Sequence, residues 1–329
     1  MDTFAVQNAR TVKNKISVYL AVTMAMAFWA ISFVWVKIVY QAYGPLTTVF
    51  FRLVIATILL FAYTKITGRL MKPDRKDWKA FILLAFFEPF LYFMGESFSL
   101  KYASSTVAAV IVATIPLFSP LAASRFHGEK VSPRTILGII LSFVGVTVVV
   151  LDTSENLSAS ILGITLEFVA VAATVGYTVV LKGLTKKYNT TSIVAYQSFI
   201  GIFYFLPFWM TFEMNSFIHT PVNVDSLVAI LKLAIFASGF AFLFFTYSVG
   251  KLGINKANIF MNSIPVFTAI FAWLILGETL SLQKLTGISI VIAGLFLAQM
   301  RIRKKALNNT QDEVHRSECE ERPGTISAQ

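Results

Sequence analysis

Apolar residues come in long blocks along this chain, and polar residues gather in the short intervals between them. The first block runs from Ile16 to Val36. A bilayer core needs about 20 apolar residues per helix, somewhat fewer in a compact bundle. By that measure ten blocks predict spanning helices: 16–37, 46–64, 79–99, 104–124, 134–151, 161–181, 192–211, 227–248, 256–275 and 284–301. Arg10, Lys13 and Lys15 precede the first block, as they would in a signal peptide. Its apolar run exceeds the roughly 7–15 residues of such a segment, and no clear small-residue cleavage site follows. It therefore reads as the first span.

The basic residues test the number of spans. With the N-terminus inside, the inside intervals hold 23 of the 28 lysines and arginines, and the outside intervals hold only Lys37, Lys101 and Lys284. Arg52 and Lys232 fall within helices. One missed helix would swap sides for everything after it, so this asymmetry supports ten spans with both termini cytoplasmic. Composition agrees: 56% of residues are hydrophobic and 14% charged, against roughly a quarter charged in a soluble domain. The net charge of +11 could suggest nucleic acid, but its place in short loops makes it a topology signal instead, and no nucleic-acid partner is expected. The single cysteine, Cys319, lies in a polar tail at 303–329, so a disulfide framework is excluded.

The chain also repeats itself. Pro116, Phe118, Gly128, Glu129, Gly138 and Gly145 recur 149 residues later as Pro265, Phe267, Gly277, Glu278, Gly287 and Gly294. The surrounding strings are IPLFSPLAASRFHGEK and IPVFTAIFAWLILGET. Earlier in each half the offset is 145, as in Lys37 and Lys182 or Tyr43 and Tyr188. The chain thus divides into a short N-terminal stretch (1–15), a five-helix repeat (16–151), a second repeat (161–302) and the tail. An odd number of spans inverts the second copy in the membrane. The expected fold is an all-α integral membrane protein of two inverted five-helix repeats, a signature of secondary transporters with a midplane site.

The strings FMGESFSLKYASSTVAAVIVATIP and YSVGKLGINKANIFMNSIPVFTAIFAWLILGE complete the pattern. With the Pro…Gly-Glu segments and the glycine-spaced fifth and tenth helices, they resemble the paired signatures of the EamA-type branch of the drug/metabolite transporter superfamily. The resemblance implies a central cavity lined mainly by helices 1, 3, 4, 6, 8 and 9, with helices 5 and 10 peripheral. It does not name a substrate, because the family moves amino acids, nucleotide-related metabolites, sugars and drugs.

Duplication sorts residues without an alignment. A residue present in both copies suits packing or turn geometry, which is the reading for Pro116, Gly128, Glu129, Pro265, Gly277 and Glu278. The glycines fit loop caps or close helix contacts, and the glutamates can meet water or a helix N-terminus. Glu88 and Glu96 occur in one copy only; their counterparts are Ala237 and Phe245. In a regular helix Glu88, Tyr92 and Glu96 share one face. Each ionised carboxylate at depth costs about 2.5–3.5 kcal/mol, avoided in a wet cavity, beside a cation or by protonation. These residues are candidates for binding a cationic substrate group or a coupling proton. Glu167 is a third one-sided acid, read as near enough to the outer end for snorkelling to water to compete with function. Asn258 and Asn262, one turn apart on helix 9, replace Ala109 and Ala113 and are candidates for the cavity or for bridging helices. Trp29 and Tyr177 can supply aromatic walls or cation–π contacts, or simply pack. Arg52 reads as a structural tie between helix 2 and a neighbour.

Other classes fit less well. All histidines and aspartates lie outside the ten helices. An embedded aspartyl pair or serine–histidine dyad is thereby removed, as is a histidine metal site, and no cofactor or enzyme activity is expected. No Gly-rich phosphate loop provides an ATP motor. The expectation is a secondary transporter in the cell membrane that moves, most readily outward, a small molecule such as an amino acid or another amine, by alternating access with proton coupling or exchange. A passive channel, or a receptor or scaffold without transport, is the alternative. The partners are that small molecule and the lipid bilayer, and a homodimer is compatible.

Overall fold

A computed structural model describes residues 2–118, 133–152 and 160–299, the side chains of residues 2–15, 135, 254, 255 and 299 excepted. The described residues are helical, with no strand among them. The long helices are α1 (Asp2–Val39), α2 (Pro45–Ile66), α3 (Trp78–Tyr102), α4 (Ser105–Phe118), α5 (Pro133–Val150), α6 (Ile161–Leu184), α7 (Thr190–Phe212), α8 (Val224–Leu252), α9 (Lys256–Leu276) and α10 (Leu282–Ala298), and a short helix, Met214–His219, follows α7. Seven of them, α1 from Ile16 onward, α2, α3 and α6–α9, are long and apolar enough to cross a membrane; the described parts of α4, α5 and α10 are shorter.

The outer surface is apolar and the interior is partly polar, the reverse of a water-soluble domain. Ile58, Phe203, Trp273 and Leu274 are exposed, while Arg52, Glu88, Glu96 and Glu167 are buried. Apolar exposure on this scale marks a surface that lipid covers.

Small residues set the closest helix contacts. A Cβ on Gly138 would lie 2.5 Å from the Gly294 carbonyl oxygen, and one on Gly145 would lie 2.7 Å from that of Gly287. The reciprocal distances are 2.7 Å and 2.9 Å. Rising numbers in α5 meet falling numbers in α10, so the two helices cross antiparallel with backbones in contact. The loops behave alike. The Tyr188 hydroxyl accepts from the Asp74 amide at 2.9 Å, and that of Tyr43 from the Asn223 amide at 3.4 Å. Those two contacts are also related by the 145 and 149 offsets.

Four helices are interrupted halfway, where the apolar pattern predicts unbroken rods. The segments Phe86–Leu91 in α3 and Leu233–Ala241 in α8 are wider π-type turns, and Glu88 is extended (φ −148°, ψ 117°) before a cis bond to Pro89. In α4 the regular helix stops at Val112, and in α9 a tight 3₁₀ turn occupies Phe260–Ser263. Shifted by 149 residues, each interruption in the first half overlies one in the second. π and 3₁₀ turns free backbone groups and redirect side chains, so they suit the wall of a site better than a rod under lipid.

Candidate functional site

The interruptions surround a cavity. It is lined by Trp29, Ser32 and Phe33 of α1, Glu88, Tyr92, Phe93 and Glu96 of α3, Val112 and Ile115 of α4, Thr174 of α6, Phe242 and Phe245 of α8, and Met261 and Ile264 of α9. Those are the six helices that the family resemblance implies; Arg52 adds α2. Much of this lining is paired by the repeat: Phe93 with Phe242, Glu96 with Phe245, Val112 with Met261, Ile115 with Ile264, and Trp29 with Thr174. The cavity therefore lies where the two halves meet.

Its charges come from one half only. Arg52, 2% exposed, donates from Nε to Ser238 Oγ at 2.8 Å, and its Cζ stands 4.2 Å from the centre of the Phe93 ring. Glu96 Oε1 accepts from the Tyr92 hydroxyl at 2.6 Å, and Glu88 Oε2 is buried with no hydrogen-bond partner. No ion pair within 4.0 Å joins Arg52 to Glu88 or Glu96, so the guanidinium shares the cavity with both carboxylates without clamping either. Both acids and the cation remain free to meet another group. The cavity volume is about 30 Å³, room for one or a few waters and too little for a metabolite. Trp29 of the lining packs on Phe242 and Phe245 at centroid distances of 5.4 and 5.0 Å.

Several sequence expectations change here. Glu88 does not share a helical face with Tyr92 and Glu96, because the chain is extended at Glu88; the turn brings it to the cavity by another route. Arg52 is more than a tie. It does join α2 to α8 through Ser238, but it is also the cavity's cation. Asn258 and Asn262 are buried, yet the α9 residues that line the cavity are Met261 and Ile264. Tyr177 stands behind the lining, edge-on to Phe242, with its hydroxyl 3.4 Å from Gln197 Oε1. Glu167 is 0% exposed, so snorkelling does not explain it.

Of the residues read as structural from the duplication, those that are described are not among the cavity's lining residues. Glu278 accepts from the amide of Ser105 at 3.0 Å and the hydroxyl of Thr106 at 2.8 Å, placing a carboxylate at the N-terminus of α4. Gly277 is left-handed (φ 68°) and ends α9, a conformation glycine adopts without a Cβ clash. Pro265 opens the last straight part of α9, and Pro116 lies in the last described turn of α4. Gly128 and Glu129 lie outside the described residues. A further acid went unnoticed in the sequence: Glu213, after α7, accepts from the amides of Leu46 and Thr47 at 3.1 and 2.7 Å and caps α2. At the opposite end, Lys187 pairs with Asp74 at 2.5 Å and with Asp77, which also accepts from the Tyr188 hydroxyl at 2.5 Å. Lys187, then Tyr188, hold the Asp77 carboxyl below its ordinary range, and the two aspartates raise the Lys187 ammonium.

Comparison with known proteins agrees with this architecture. The model of the EamA-like transporter family matches residues 16–151 and again 161–300. An uncharacterized transporter of Archaeoglobus fulgidus is 30% identical over 85% of this chain and 96% of its own length. The uncharacterized transporter YetK of Bacillus subtilis is 26% identical over 88% of this chain and 89% of its own. One crystal structure superimposes with a TM-score of 0.65 over 86% of this chain and 98% of that chain at 16% identity, a likeness of fold alone.

Proposed function

Because the chain belongs to the EamA-like transporter family, we propose that it is a secondary transporter that moves a small amine-bearing metabolite through the cavity between its two halves. It is a multi-pass membrane protein, and the proposal seats it in the cell membrane as ten spans in two inverted five-helix units, 16–151 and 161–302. Both termini and the 303–329 tail then lie on the cytoplasmic side. The reciprocal glycine contacts of α5 with α10, and the interruptions repeated at the 149 offset, support inversion.

One observation carries the functional reading. Two carboxylates and one guanidinium line one small cavity at the interrupted helices, and none of the three is repeated in the other half. Two acids against one base leave room for one more positive charge. A substrate ammonium or a proton supplies it, and Trp29, Phe93 and Phe242 offer aromatic faces to a cation. Since no metabolite fits in about 30 Å³, the helices must part to admit one. That favours alternating access, one half rocking on the other, over an open pore.

The test is flux through the purified protein in proteoliposomes, with a panel of amino acids and organic amines under an imposed pH gradient. Saturable flux and counterflow of at least one amine, reduced at least about tenfold in Glu88→Gln and Glu96→Gln proteins, are expected. Linear flux without counterflow would mark a channel. Unchanged rates and pH profiles in both variants would remove the carboxylates from the mechanism.

A further inference from the structure

Behind the cavity, where α3 crosses α6, lies an acid that the cavity does not use. Glu167 is fully buried, neither of its oxygens has a hydrogen-bond partner, and it is not among the cavity's lining residues. Glycine contacts fix its level. A Cβ on Gly95 would lie 2.5 Å from the Leu166 carbonyl oxygen, and one on Gly163 would lie 3.1 Å from Tyr102 Cβ and 3.4 Å from the Ser99 carbonyl oxygen. The helices thus run antiparallel in close contact. Glu167, one residue past Leu166 and one turn past Gly163, stands level with the Glu96–Ser99 turn of α3. The Ser99 hydroxyl, itself buried and unpartnered, faces the Glu167 carboxyl without meeting hydrogen-bond geometry. The titratable groups that act on Glu167 are Glu96 and Tyr92, both on α3; α4 presents none over Ser105–Val112. Among the described residues no three acids, cysteines or histidines gather closely enough to hold a metal ion.

Burying an ionised carboxylate without a partner is costly, and a bound proton removes that cost. Glu96 touches the cavity and Glu167 does not. Glu167 is also six residues, about 9 Å, from the Ile161 end of α6, between the cavity and that end of the bundle. We infer that Glu167 is a proton station separate from the substrate pocket, exchanging its proton with Glu96 across the Ser99 hydroxyl. In the transfer the O–H bond at Glu167 breaks, Ser99 takes that proton and hands on its own, and an O–H bond forms at the Glu96 carboxylate. Glu167 is left as the carboxylate, and no electrons change hands. The inference rests on the cavity being the transport site, and it gives the coupling proton a residence that a bound amine does not displace.

Infrared spectroscopy of the full chain in lipid tests it without transport, by following the protonated-carboxyl stretching band during transfer from H₂O to D₂O. One component is expected to vanish in Glu167→Gln. In Glu96→Gln and Ser99→Ala that component should exchange about tenfold or more slowly than in the wild type, with Gly183→Ala, which meets open space, at the wild-type rate. Should Glu167→Gln not fold, Glu167→Asp identifies the component by moving it rather than deleting it. An acid that only fills the helix crossing would exchange at a rate indifferent to Glu96, and that result, or the absence of any component assignable to position 167, overturns the inference. A protein with the expected exchange but no amine flux would leave the proton station standing and overturn the transport reading instead.

Discussion

The middle of α3 and the middle of α8 are built on one plan and carry different chemistry. Both widen into π-type turns, at Phe86–Leu91 and Leu233–Ala241, and both present a phenylalanine to the cavity, Phe93 and Phe242. Where α3 has Glu88, Pro89 and Glu96, α8 has Ala237, Ser238 and Phe245. Ser238, the counterpart of Pro89, accepts the Arg52 bond. The backbone device is duplicated and the charge is not. Symmetric features therefore belong to the hinge and packing of the fold, and asymmetric ones to what the cavity binds.

The sharpest way to break this comparison is to remove the cation. Arg52→Met removes the hydrogen bond to Ser238 and the cation that shares the cavity with two buried acids, and loss of a charged hydrogen bond costs about 1.5–3 kcal/mol. A large fall in thermal midpoint in detergent is expected, with partial recovery in the double variant Arg52→Met, Glu88→Gln, which removes one of the stranded charges. An Arg52→Met protein as stable as the wild type would show the guanidinium to be idle. The symmetric features should instead fail symmetrically. Gly138→Ala and Gly287→Ala each push a methyl into the partner helix, at 2.5 Å from the Gly294 oxygen and 2.4 Å from Val149 Cγ2. Overpacking of this kind costs about 1–3 kcal/mol. Gly183→Ala on α6, with nothing within 4 Å, should be neutral or stabilising. Unequal losses at positions 138 and 287 would weaken the symmetry argument.

The smallest effect is expected at the exposed cluster that ties the 67–77 loop to Lys187. The Asp77 carboxyl is held below its ordinary range in the fold, so its contribution is present above about pH 4 and is lost as pH falls through the lowered value. The difference in thermal midpoint between wild type and Asp77→Asn should therefore be small at neutral pH and close on acidification. A difference that widened as pH fell would reverse the sign of this account.

The helices and the repeat were legible in the sequence because length, charge asymmetry and recurring glycines are one-dimensional signals. Glu88 and Glu96 were legible as candidates for the same reason: membrane cost and one-sided occurrence need no coordinates, whereas Tyr92 came in on their helical spacing and Trp29 on its aromatic ring. The interruptions were not, since the apolar run continues through a π turn and only Pro89 hinted at one. Asn262 lies inside the 3₁₀ turn at Phe260–Ser263, so the regular helical spacing read between it and Asn258 does not hold there. Depth along a helix likewise misled at Glu167. Its distance from the end of α6 suggested access to water, but α3, drawn close by Gly95, covers it. Arg52 seemed structural because a lone basic residue on helix 2 does not reveal which acids of α3 face it.

The most direct test sets Glu96 against its own repeat counterpart. In proteoliposomes, counterflow of an amine carried by the wild type should fall about ten- to hundred-fold in Glu96→Gln, as loss of a charge-assisted contact of about 1.5–3 kcal/mol requires. In Phe245→Leu, which alters only the wall, it should stay within a few-fold of the wild type. Equal losses in the two variants, or none in Glu96→Gln, would contradict the claim that the unduplicated charges do the binding.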